Sequence, residues 1–330
     1  MNGEIVVDNL IKRYGDFTAV NGVSFKVSSG EIFGFLGPNG AGKSTTVVML
    51  TTLALPTEGK ATVGGYDVVH QAAEVRRIAG VALQDIGLDR LMKSMELLTI
   101  QGQLFGAKRK DAQARAKELL ELVGLADVTD RPVGKYSGGM RRRLDLAMAL
   151  VHRPEILFLD EPTTGLDPAS RRDIWTEVRR LNREYGMTIF LTTQYLEEAD
   201  ELADRIAIID GGQIRVEGQP AELKSALGSE SINVTFKDSE TVDRAASELG
   251  EMFSKVQVDR KTLRLYRNNA AEVVPAVINR LNSQGMVPVS LTLTTPTLDD
   301  VFLQVTGNSL ANDDATETPQ PNARTGRRSA

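Results

Sequence analysis

Hydrophobic and polar positions alternate in two stretches near the beginning of the chain, residues 4–9 and 21–28. Alternation with a period of two residues is typical of half-buried antiparallel strands. Residues 31–36 and 156–160 are apolar runs that predict buried strands, and the second is typical of a central parallel strand covered on both faces. From about residue 88 to residue 150 the spacing becomes helical. The pattern predicts an α/β domain with a mixed sheet, an antiparallel β-subdomain and a helical insertion.

A second and smaller unit is predicted in the last third of the chain. Its element order is β-α-β-β-α-β, the order of a ferredoxin-like α+β domain. A last short helix is predicted from Thr297 to Val305, with Gly307 as its cap. We therefore expect one domain over residues 1–226 and an accessory domain over residues 227–307. Residues 308–330 are polar and contain proline, so we expect a disordered tail.

Three element boundaries are specific enough to be tested. A short strand is predicted to stop at Gln84, and the helical insertion is predicted to begin with a helix from Leu91 to Phe105. The sheet of the accessory domain is predicted to close with a strand from Val287 to Thr294.

Residues Gly37 to Thr45 fit the pattern G-x-x-x-x-G-K-[ST] between a predicted strand and a predicted helix. Glycines let the backbone curl so that successive N–H groups point inward, and the helix N-terminus adds partial positive charge. In such a loop Lys43 reaches the β- and γ-phosphates, and the hydroxyl of Ser44 ligates Mg²⁺. We predict a nucleoside-triphosphate site formed by Gly37, Pro38, Asn39, Gly40, Ala41, Gly42, Lys43, Ser44 and Thr45.

Two adjacent carboxylates, Asp160 and Glu161, follow the second apolar run. At the end of a buried strand Asp160 can hold Mg²⁺ through water, and Glu161 can orient or deprotonate an attacking water. Phosphoryl transfer needs mainly positioning and neutralisation of charge, so one lysine, one Mg²⁺ and one carboxylate are a nearly sufficient set. Without the phosphate loop before them, the two acids would more often be a solvated strand end.

A third motif, Ser137-Gly138-Gly139-Met140, opens a predicted helix. Ser137 is placed to be its N-cap, and the two glycines expose the first amides of the helix, which together form a second anion site. Two interpretations stay open for the arginines that follow, Arg141 to Arg143. They belong to a functional helix start, or they are the solvated face of an ordinary capped helix.

Composition excludes several kinds of chemistry. The 330 residues include no Cys and only two histidines, His70 and His152, which removes thiolate chemistry, Cys-ligated zinc and histidine clusters. A formal net charge of −5 disfavours a protein that coats nucleic acid. There is no apolar run of about 18 residues, so no membrane span is predicted. The first residues lack the features of a signal peptide, and we expect a cytosolic protein.

The motifs occur in an order and spacing that resemble the nucleotide-binding subunit of an ATP-binding-cassette (ABC) transporter. The resemblance covers about residues 4 to 226 and includes Asp160-Glu161 and Thr164 to Asp167. It implies a P-loop NTPase core of the ABC type, with ATP and Mg²⁺ as ligands. It also implies a head-to-tail dimer, in which ATP lies between the phosphate loop of one copy and the signature of the other, formed by Ser137, Gly138 and Gly139.

The same resemblance implies roles for individual residues. Tyr14 matches the aromatic residue that stacks on adenine. Gln84 matches the glutamine that contacts Mg²⁺ and the nucleophilic water and that senses the membrane subunit. Asp167 matches an acid that crosses the dimer interface. The implied metal-binding residues are thus Ser44, Gln84 and Asp160, and the implied catalytic residues are Glu161, Gln84 and Gln194.

Two positions depart from the family pattern. Met140 stands where the signature usually has glutamine, and Gln194 stands where a switch histidine usually follows Thr192-Thr193. Glutamine can hydrogen-bond a γ-phosphate but cannot carry a proton or a positive charge near neutral pH. We expect Gln194 to keep the geometry and the site to hydrolyse ATP. The alternative is a weakly catalytic ATP sensor.

Residues 136–143, 192–200 and 296–303 resemble the daunorubicin-resistance branch of bacterial drug-exporter ATPases, in which the same exchange of glutamine for histidine occurs. The branch implies a complex with a separate polytopic membrane permease that exports hydrophobic drugs or lipids. It implies a peripheral location at the cytoplasmic face of the cell membrane. Leu88 to Met92 is the segment that we expect to dock the permease.

Another class of ABC protein acts on ribosomes or on nucleic acid. Those chains usually carry two cassettes, or a long coiled coil between the motifs. This chain has one cassette and no heptad run, so we expect no nucleic-acid partner.

Overall fold

The computed structural model describes residues 3–85, 87–227 and 230–307. The strands, in chain order, are β1 (Ile5–Tyr14), β2 (Phe17–Val27), β3 (Ile32–Leu36), β4 (Glu58–Val63), β5 (Tyr66–Asp67), β6 (Ala79–Ala82), β7 (Ile156–Asp160), β8 (Thr188–Thr193), β9 (Arg205–Asp210), β10 (Gln213–Gly218), β11 (Glu230–Thr235), β12 (Lys255–Asp259), β13 (Thr262–Arg267) and β14 (Ser290–Thr294). The α-helices are α1 (Lys43–Leu50), α2 (Ala72–Ile78), α3 (Ser94–Leu104), α4 (Arg109–Leu122), α5 (Gly138–Ala149), α6 (Pro168–Tyr185), α7 (Leu196–Leu202), α8 (Pro220–Ser225), α9 (Ser239–Leu249), α10 (Ala270–Ser283) and α11 (Leu298–Thr306).

The first sheet is antiparallel, in the order β2-β1-β4-β5. The alternating stretches of the sequence form β1 and β2, which pair from Ile5 opposite Val27 to Tyr14 opposite Phe17. Apolar residues of this sheet and of β3 share one core, in which Phe25 and Phe33 stack with ring centroids 5.4 Å apart. The predicted antiparallel strands are confirmed.

The second sheet has the order β10-β9-β3-β8-β7-β6, and all of its strands except β10 are parallel. Every residue of β3 and β7 is buried, as the two apolar runs predict. Ligand sites of open parallel sheets lie at the carboxyl ends of the strands. At that edge the chain places Gly37, Gln84, Glu161 and Gln194, which follow β3, β6, β7 and β8. The strand predicted to stop at Gln84 is β6, and it ends two residues earlier, at Ala82.

The helical insertion consists of α3, α4 and α5, and the prediction that its first helix starts at Leu91 was wrong. Helix α3 begins at Ser94. The carbonyl groups of Arg90 and Met92 accept hydrogen bonds from the backbone of Gly134 (2.8 Å) and Val133 (2.9 Å). These carbonyls are therefore used by a distant segment and are not available to a helical turn.

The third sheet is antiparallel, in the order β12-β13-β11-β14, and α9 and α10 share one apolar core with it. The first strand of this unit lies between the third and the fourth, so the predicted β-α-β-β-α-β arrangement is confirmed. Its last strand begins at Ser290 and not at the predicted Val287. Pro288 has no N–H group to donate to the ladder, which explains the later start.

The last helix, α11, packs against the first domain. Thr297 caps it, and it ends at Gly307, whose φ of 75° is in the left-handed region. Its apolar side joins a buried cluster with β3, α7, β9, α8 and β13, formed by Leu36, Ala199, Ile206, Ile208, Leu223, Leu227, Tyr266, Leu298, Val301 and Phe302. We call this cluster the closing core.

The structure does not test two of the predictions about domain organisation. The predicted disordered tail, residues 308–330, lies outside the described residues, and the domain boundary at residue 226 stays a prediction. Within the described ranges no helix combines the length and the apolar character needed to cross a bilayer.

Candidate functional site

The phosphate-loop pattern lies between β3 and α1, and its backbone requires glycine at two points. A Cβ atom on Gly37 would lie 2.3 Å from the carbonyl oxygen of Ile209, and one on Gly42 would lie 2.5 Å from that of Ala19. Gly42 also has a φ of 104°. A side chain at either position would displace backbone, so the curled loop depends on glycine.

Lys43 is buried at the start of α1, with 4% of its surface exposed. Its ammonium donates hydrogen bonds to the carbonyl oxygens of Gly37 at 2.8 Å and Pro38 at 3.0 Å. The loop backbone thus folds around the charged end of this side chain.

Asp160 at the end of β7 contacts the first turn of α1. The hydroxyl of Ser44 donates to one carboxylate oxygen of Asp160 at 3.0 Å, and the hydroxyl of Thr192 donates to the same oxygen. A hydroxyl beside one carboxylate fits Mg²⁺, which is usually held by one or two protein oxygens together with phosphates and water. Within the described residues no cluster of three or more His, Cys, Asp or Glu side chains could hold a metal ion alone.

Glu161 has an unusual backbone and a fully engaged carboxylate. Its φ is 48°, which is rare for a residue with a Cβ atom and is typical of functional sites. One carboxylate oxygen lies 3.2 Å from the ammonium nitrogen of Lys43. The other accepts hydrogen bonds from the amide of Gln84 and the hydroxyl of Thr164, both at 3.2 Å. The structure therefore brings together three residues predicted at the site, Lys43, Gln84 and Glu161.

These groups surround a cleft of about 430 Å³, within the size range of small-molecule sites. Tyr14, predicted to stack on adenine, is half-exposed at the end of β1. Among the described residues that line the cleft, the aromatic ring is that of Phe17, which pairs with Tyr14 across the hairpin. The lining residues are Phe17, Ala19, Asn39, Gly40, Gly42, Lys43, Ser44, Thr45, Gln84 and Glu161.

The Ser137-Gly138-Gly139 motif lies at the start of α5, and its predicted N-cap is confirmed. The hydroxyl oxygen of Ser137 accepts a hydrogen bond from the backbone N–H of Met140 at 3.2 Å. A Cβ atom on Gly139 would lie 2.7 Å from the hydroxyl of Ser170 on α6. None of the described residues that line the phosphate-loop cleft belongs to this motif.

Asp167 is the N-cap of α6. Its carboxylate accepts hydrogen bonds from the backbone N–H groups of Ala169 and Ser170, and from the Ser170 hydroxyl at 2.6 Å. The bonds from Ser170 hold the pKa of Asp167 below its ordinary value.

Gln194 follows β8 at the same sheet edge as the carboxylates. Thr192, two residues earlier, lies opposite Asp160 in the parallel register, and Gln194 itself is half-buried. The structure places Gln194 at this edge but records no contact between its side chain and Glu161.

Comparison with known proteins gives the context for this geometry. The sequence profile of ABC transporters matches residues 20–164, and that of the C-terminal domain of DrrA1-3-like ATP-binding proteins matches residues 218–306. The chain is 44% identical over 304 residues to the daunorubicin resistance ATP-binding protein DrrA3 of Streptomyces coeruleorubidus, with 92% of this chain and 96% of that protein covered. The chain belongs to the ABC transporter family.

Two further similarities agree with this membership. The daunorubicin/doxorubicin resistance ATP-binding protein DrrA of Streptomyces peucetius is 43% identical, with 95% of each chain covered. A solved dimeric ATP-binding cassette in a post-hydrolysis state, bound to ADP and phosphate, has a TM-score of 0.60 and 25% identity, and covers 65% of this chain and 98% of its own. The predicted resemblance and the ABC-type fold are confirmed, and this ABC subunit is an ATPase that binds nucleotide.

Two buried charged residues of this ABC ATPase were missed by the sequence analysis. Arg142 is 4% exposed, so the solvated-face interpretation is wrong for the middle arginine of Arg141 to Arg143. Glu198 on α7 is fully buried and accepts hydrogen bonds from the hydroxyl of Thr163 (2.8 Å) and the indole N–H of Trp175 (2.9 Å). Burial raises the pKa of Glu198. The position of Glu198 on the buried face of a short helix was the signal available in the sequence.

A groove of about 340 Å³ lies between the helical insertion and the part of the ABC domain that contains α2 and β6. Leu88 lines it, together with Phe105 and His152, whose rings stack with centroids 4.0 Å apart. Leu91, also in the predicted docking segment, is 89% exposed.

Proposed function

We propose that this ATPase energises an exporter of hydrophobic drugs, antibiotics or lipids, as a head-to-tail dimer bound to a separate membrane permease. The contact of Glu161 with both Lys43 and Gln84 carries the proposal, because it joins the phosphate loop to a base at the end of β7. The identity of 44% to a daunorubicin resistance protein, extending over both domains, supports the choice of cargo class.

The chemistry proposed for the cleft is hydrolysis of ATP. The amides of the phosphate loop and Lys43 would hold the β- and γ-phosphates, and Ser44 and Asp160 would hold Mg²⁺, which would supply neutralisation of the phosphate charge. Glu161 and Gln84 orient a water molecule toward the γ-phosphorus. The water oxygen bonds to phosphorus, the bond to the β-phosphate oxygen breaks, and Glu161 accepts the proton.

The remaining predicted residues lie outside this cleft, which supports a two-copy site. Ser137, Gly138 and Gly139 begin α5, and the carboxylate of Asp167 caps α6. Helix N-termini favour anions, and a second copy in head-to-tail orientation would offer the start of its α5 to the γ-phosphate, while Asp167 would cross the dimer interface. Gln194 would hydrogen-bond the γ-phosphate from the first copy, and an aromatic ring, Tyr14 or Phe17, would contact adenine.

The groove next to Gln84 is the proposed docking surface for the permease. Large apolar side chains of this region are exposed, among them Leu91, Ile100, Leu104 and Phe105, and Phe105 lines the groove. Contiguous exposed apolar surface marks interaction sites. A cytoplasmic helix of the permease would fill the groove, and the subunit would then lie peripherally at the cytoplasmic face of the membrane.

The test is affinity purification of the tagged Glu161→Gln protein from detergent-solubilised native membranes in the presence of ATP. We expect one polytopic membrane protein in a one-to-one ratio. The Leu88→Asp variant, purified in parallel, should lose that partner and keep ATP binding. Recovery with ribosomes, with nucleic acid or with no partner would refute the exporter and leave the ATPase.

Gln194 bears on how fast this ATPase turns over, because glutamine cannot carry a proton near neutral pH. Steady-state release of phosphate by the purified protein, alone and in the permease complex, measures the turnover that Gln194 supports.

A further inference from the structure

Arg142 is the buried member of a run of three arginines on α5. Its exposed fraction is 4%, whereas Arg141 and Arg143 are half-buried. A buried guanidinium loses its hydration and is retained only when its N–H groups are used and its charge is compensated. All three side-chain nitrogens of Arg142, Nε, Nη1 and Nη2, donate hydrogen bonds.

Two of these contacts lie on either side of Glu161. Nε of Arg142 donates to the carbonyl oxygen of Pro162 at 2.8 Å, and Nη2 donates to that of Asp160 at 2.9 Å. The residue between these two carbonyls is Glu161, whose φ of 48° needs support from its surroundings. The guanidinium therefore holds the peptide units that aim the Glu161 carboxylate.

The third nitrogen of the fork reaches the other catalytic segment. Nη1 of Arg142 donates to the carbonyl oxygen of Leu83, the residue before Gln84. The same nitrogen lies 3.1 Å from a carboxylate oxygen of Asp145, one turn along α5. Leu83 and Asp145 both line the groove beside the helical insertion.

Charge and geometry both make this arginine hard to replace. Asp145, Asp160 and Glu161 lie close enough to Arg142 for their negative charges to compensate that of the buried guanidinium. The guanidinium is planar and presents its donors in a rigid fork, so it fixes the carbonyls of Leu83, Asp160 and Pro162 relative to one another.

We propose that Arg142 is a positioning residue of the ATPase. It fixes Gln84 and Glu161 relative to each other and ties both to α5, whose first residues form the signature. The inference rests on the proposed roles of Gln84 and Glu161 in hydrolysis. A change at the signature or at the groove would reach the catalytic groups through this one side chain.

The test compares Arg142→Met and Arg142→Lys with a matched control, Arg143→Met, on the full-length protein. We expect Arg142→Met to lower kcat about 10- to 100-fold, the range seen when residues that orient a reacting group are lost. The Kd for ATP should stay within about threefold, because no P-loop contact is removed. Arg142→Lys keeps the charge without the fork and should fall between wild type and Arg142→Met. Arg143→Met should stay within about twofold of wild type.

A double-mutant cycle with Gln84→Ala separates positioning from a purely structural role. If Arg142 acts by placing Gln84, the Gln84→Ala substitution should lower kcat much less in the Arg142→Met variant than in the wild-type protein. The proposal would be overturned if the two substitutions lowered kcat by factors that simply multiply. It would also be overturned if Arg142→Met had the same kcat as Arg143→Met. Should Arg142→Met fail to fold, the same cycle is run with Arg142→Lys. Absence of turnover in the wild-type protein would instead refute the proposed ATPase chemistry.

Discussion

The ammonium nitrogen of Lys43 lies 3.2 Å from a carboxylate oxygen of Glu161, and both side chains are only 4% exposed. The cation of the phosphate loop and the proposed base are thus each other's buried partner. Removing one member of such a pair leaves an uncompensated charge, whereas neutralising it without changing its shape is milder. A substitution of Glu161 that keeps its shape and removes its charge is therefore expected to affect hydrolysis of ATP more than binding of ATP.

Glu161→Gln should abolish turnover and keep nucleotide. The amide has the shape of the carboxylate but accepts no proton, so we expect kcat to fall at least about 100-fold. One negative charge near the phosphates is removed, so the Kd for ATP should be unchanged or lower. With ATP the variant should accumulate as a dimer on size-exclusion chromatography. Glu197→Gln, an exposed acid on α7, is the control. A monomer that retains ATP would contradict the dimer proposal.

Ser44→Ala should weaken the binding of ATP only when Mg²⁺ is present. The hydroxyl lies 3.0 Å from the Asp160 carboxylate and is the proposed metal ligand from α1. We expect about a tenfold rise in the Kd for Mg²⁺–ATP, equivalent to about 1.4 kcal/mol. Titrations in EDTA should show little difference from wild type. Equal weakening with and without Mg²⁺ would assign Ser44 to the phosphates alone.

Gln194→His should preserve or raise hydrolysis. Imidazole can hydrogen-bond the γ-phosphate as glutamine does, and it can also carry a proton. Because histidine titrates near pH 6.5, kcat of the variant should gain a pH dependence between about pH 5.5 and 7.5 that wild type lacks there. Steady-state rates across this range provide the measurement. A complete loss of activity would mean that the site is built around glutamine.

Glu198→Gln should change how the free energy of unfolding depends on pH. Burial raises the pKa of Glu198 above its ordinary value of 4.5, so the stability supplied by this carboxyl is present at low pH and is lost as pH rises from 4.5 through the folded-state pKa. The free energy of unfolding of Glu198→Gln relative to wild type should therefore increase from about pH 5 to pH 8.

Glu198→Ala should be less stable than Glu198→Gln at every pH. The alanine leaves the Thr163 hydroxyl and the Trp175 indole N–H without their acceptor, at a cost of about 2–4 kcal/mol. Urea unfolding followed by circular dichroism measures both variants. Equal stability of the two variants would show that these hydrogen bonds are replaced.

Local chemistry explains which features could be predicted from the sequence. The curled phosphate loop, the N-cap of Ser137 and the apolar run before Asp160 each depend on neighbouring residues. The element order of the accessory domain was also readable, because each strand and helix has its own periodicity.

Distant partners explain what was missed. Arg142 is buried because carbonyls 18, 20 and 59 residues away accept its N–H groups, and no local pattern shows that. The start of α3 depends on residues near Gly134, and the place of Phe17 in the cleft depends on how the hairpin of the first sheet folds over the phosphate loop.

The closing core bears on how the chain is made. Leu298, Val301 and Phe302 pack with Ala199 and Ile206, so an apolar surface of the cassette is covered by residues that leave the ribosome about a hundred positions later. A nascent chain that has passed residue 226 holds the whole phosphate loop and both carboxylates, yet its apolar flank is still open. Premature termination in this interval would yield a cassette that exposes apolar surface and is prone to aggregate. Completion of the last helix covers that surface before the subunit assembles with its partners.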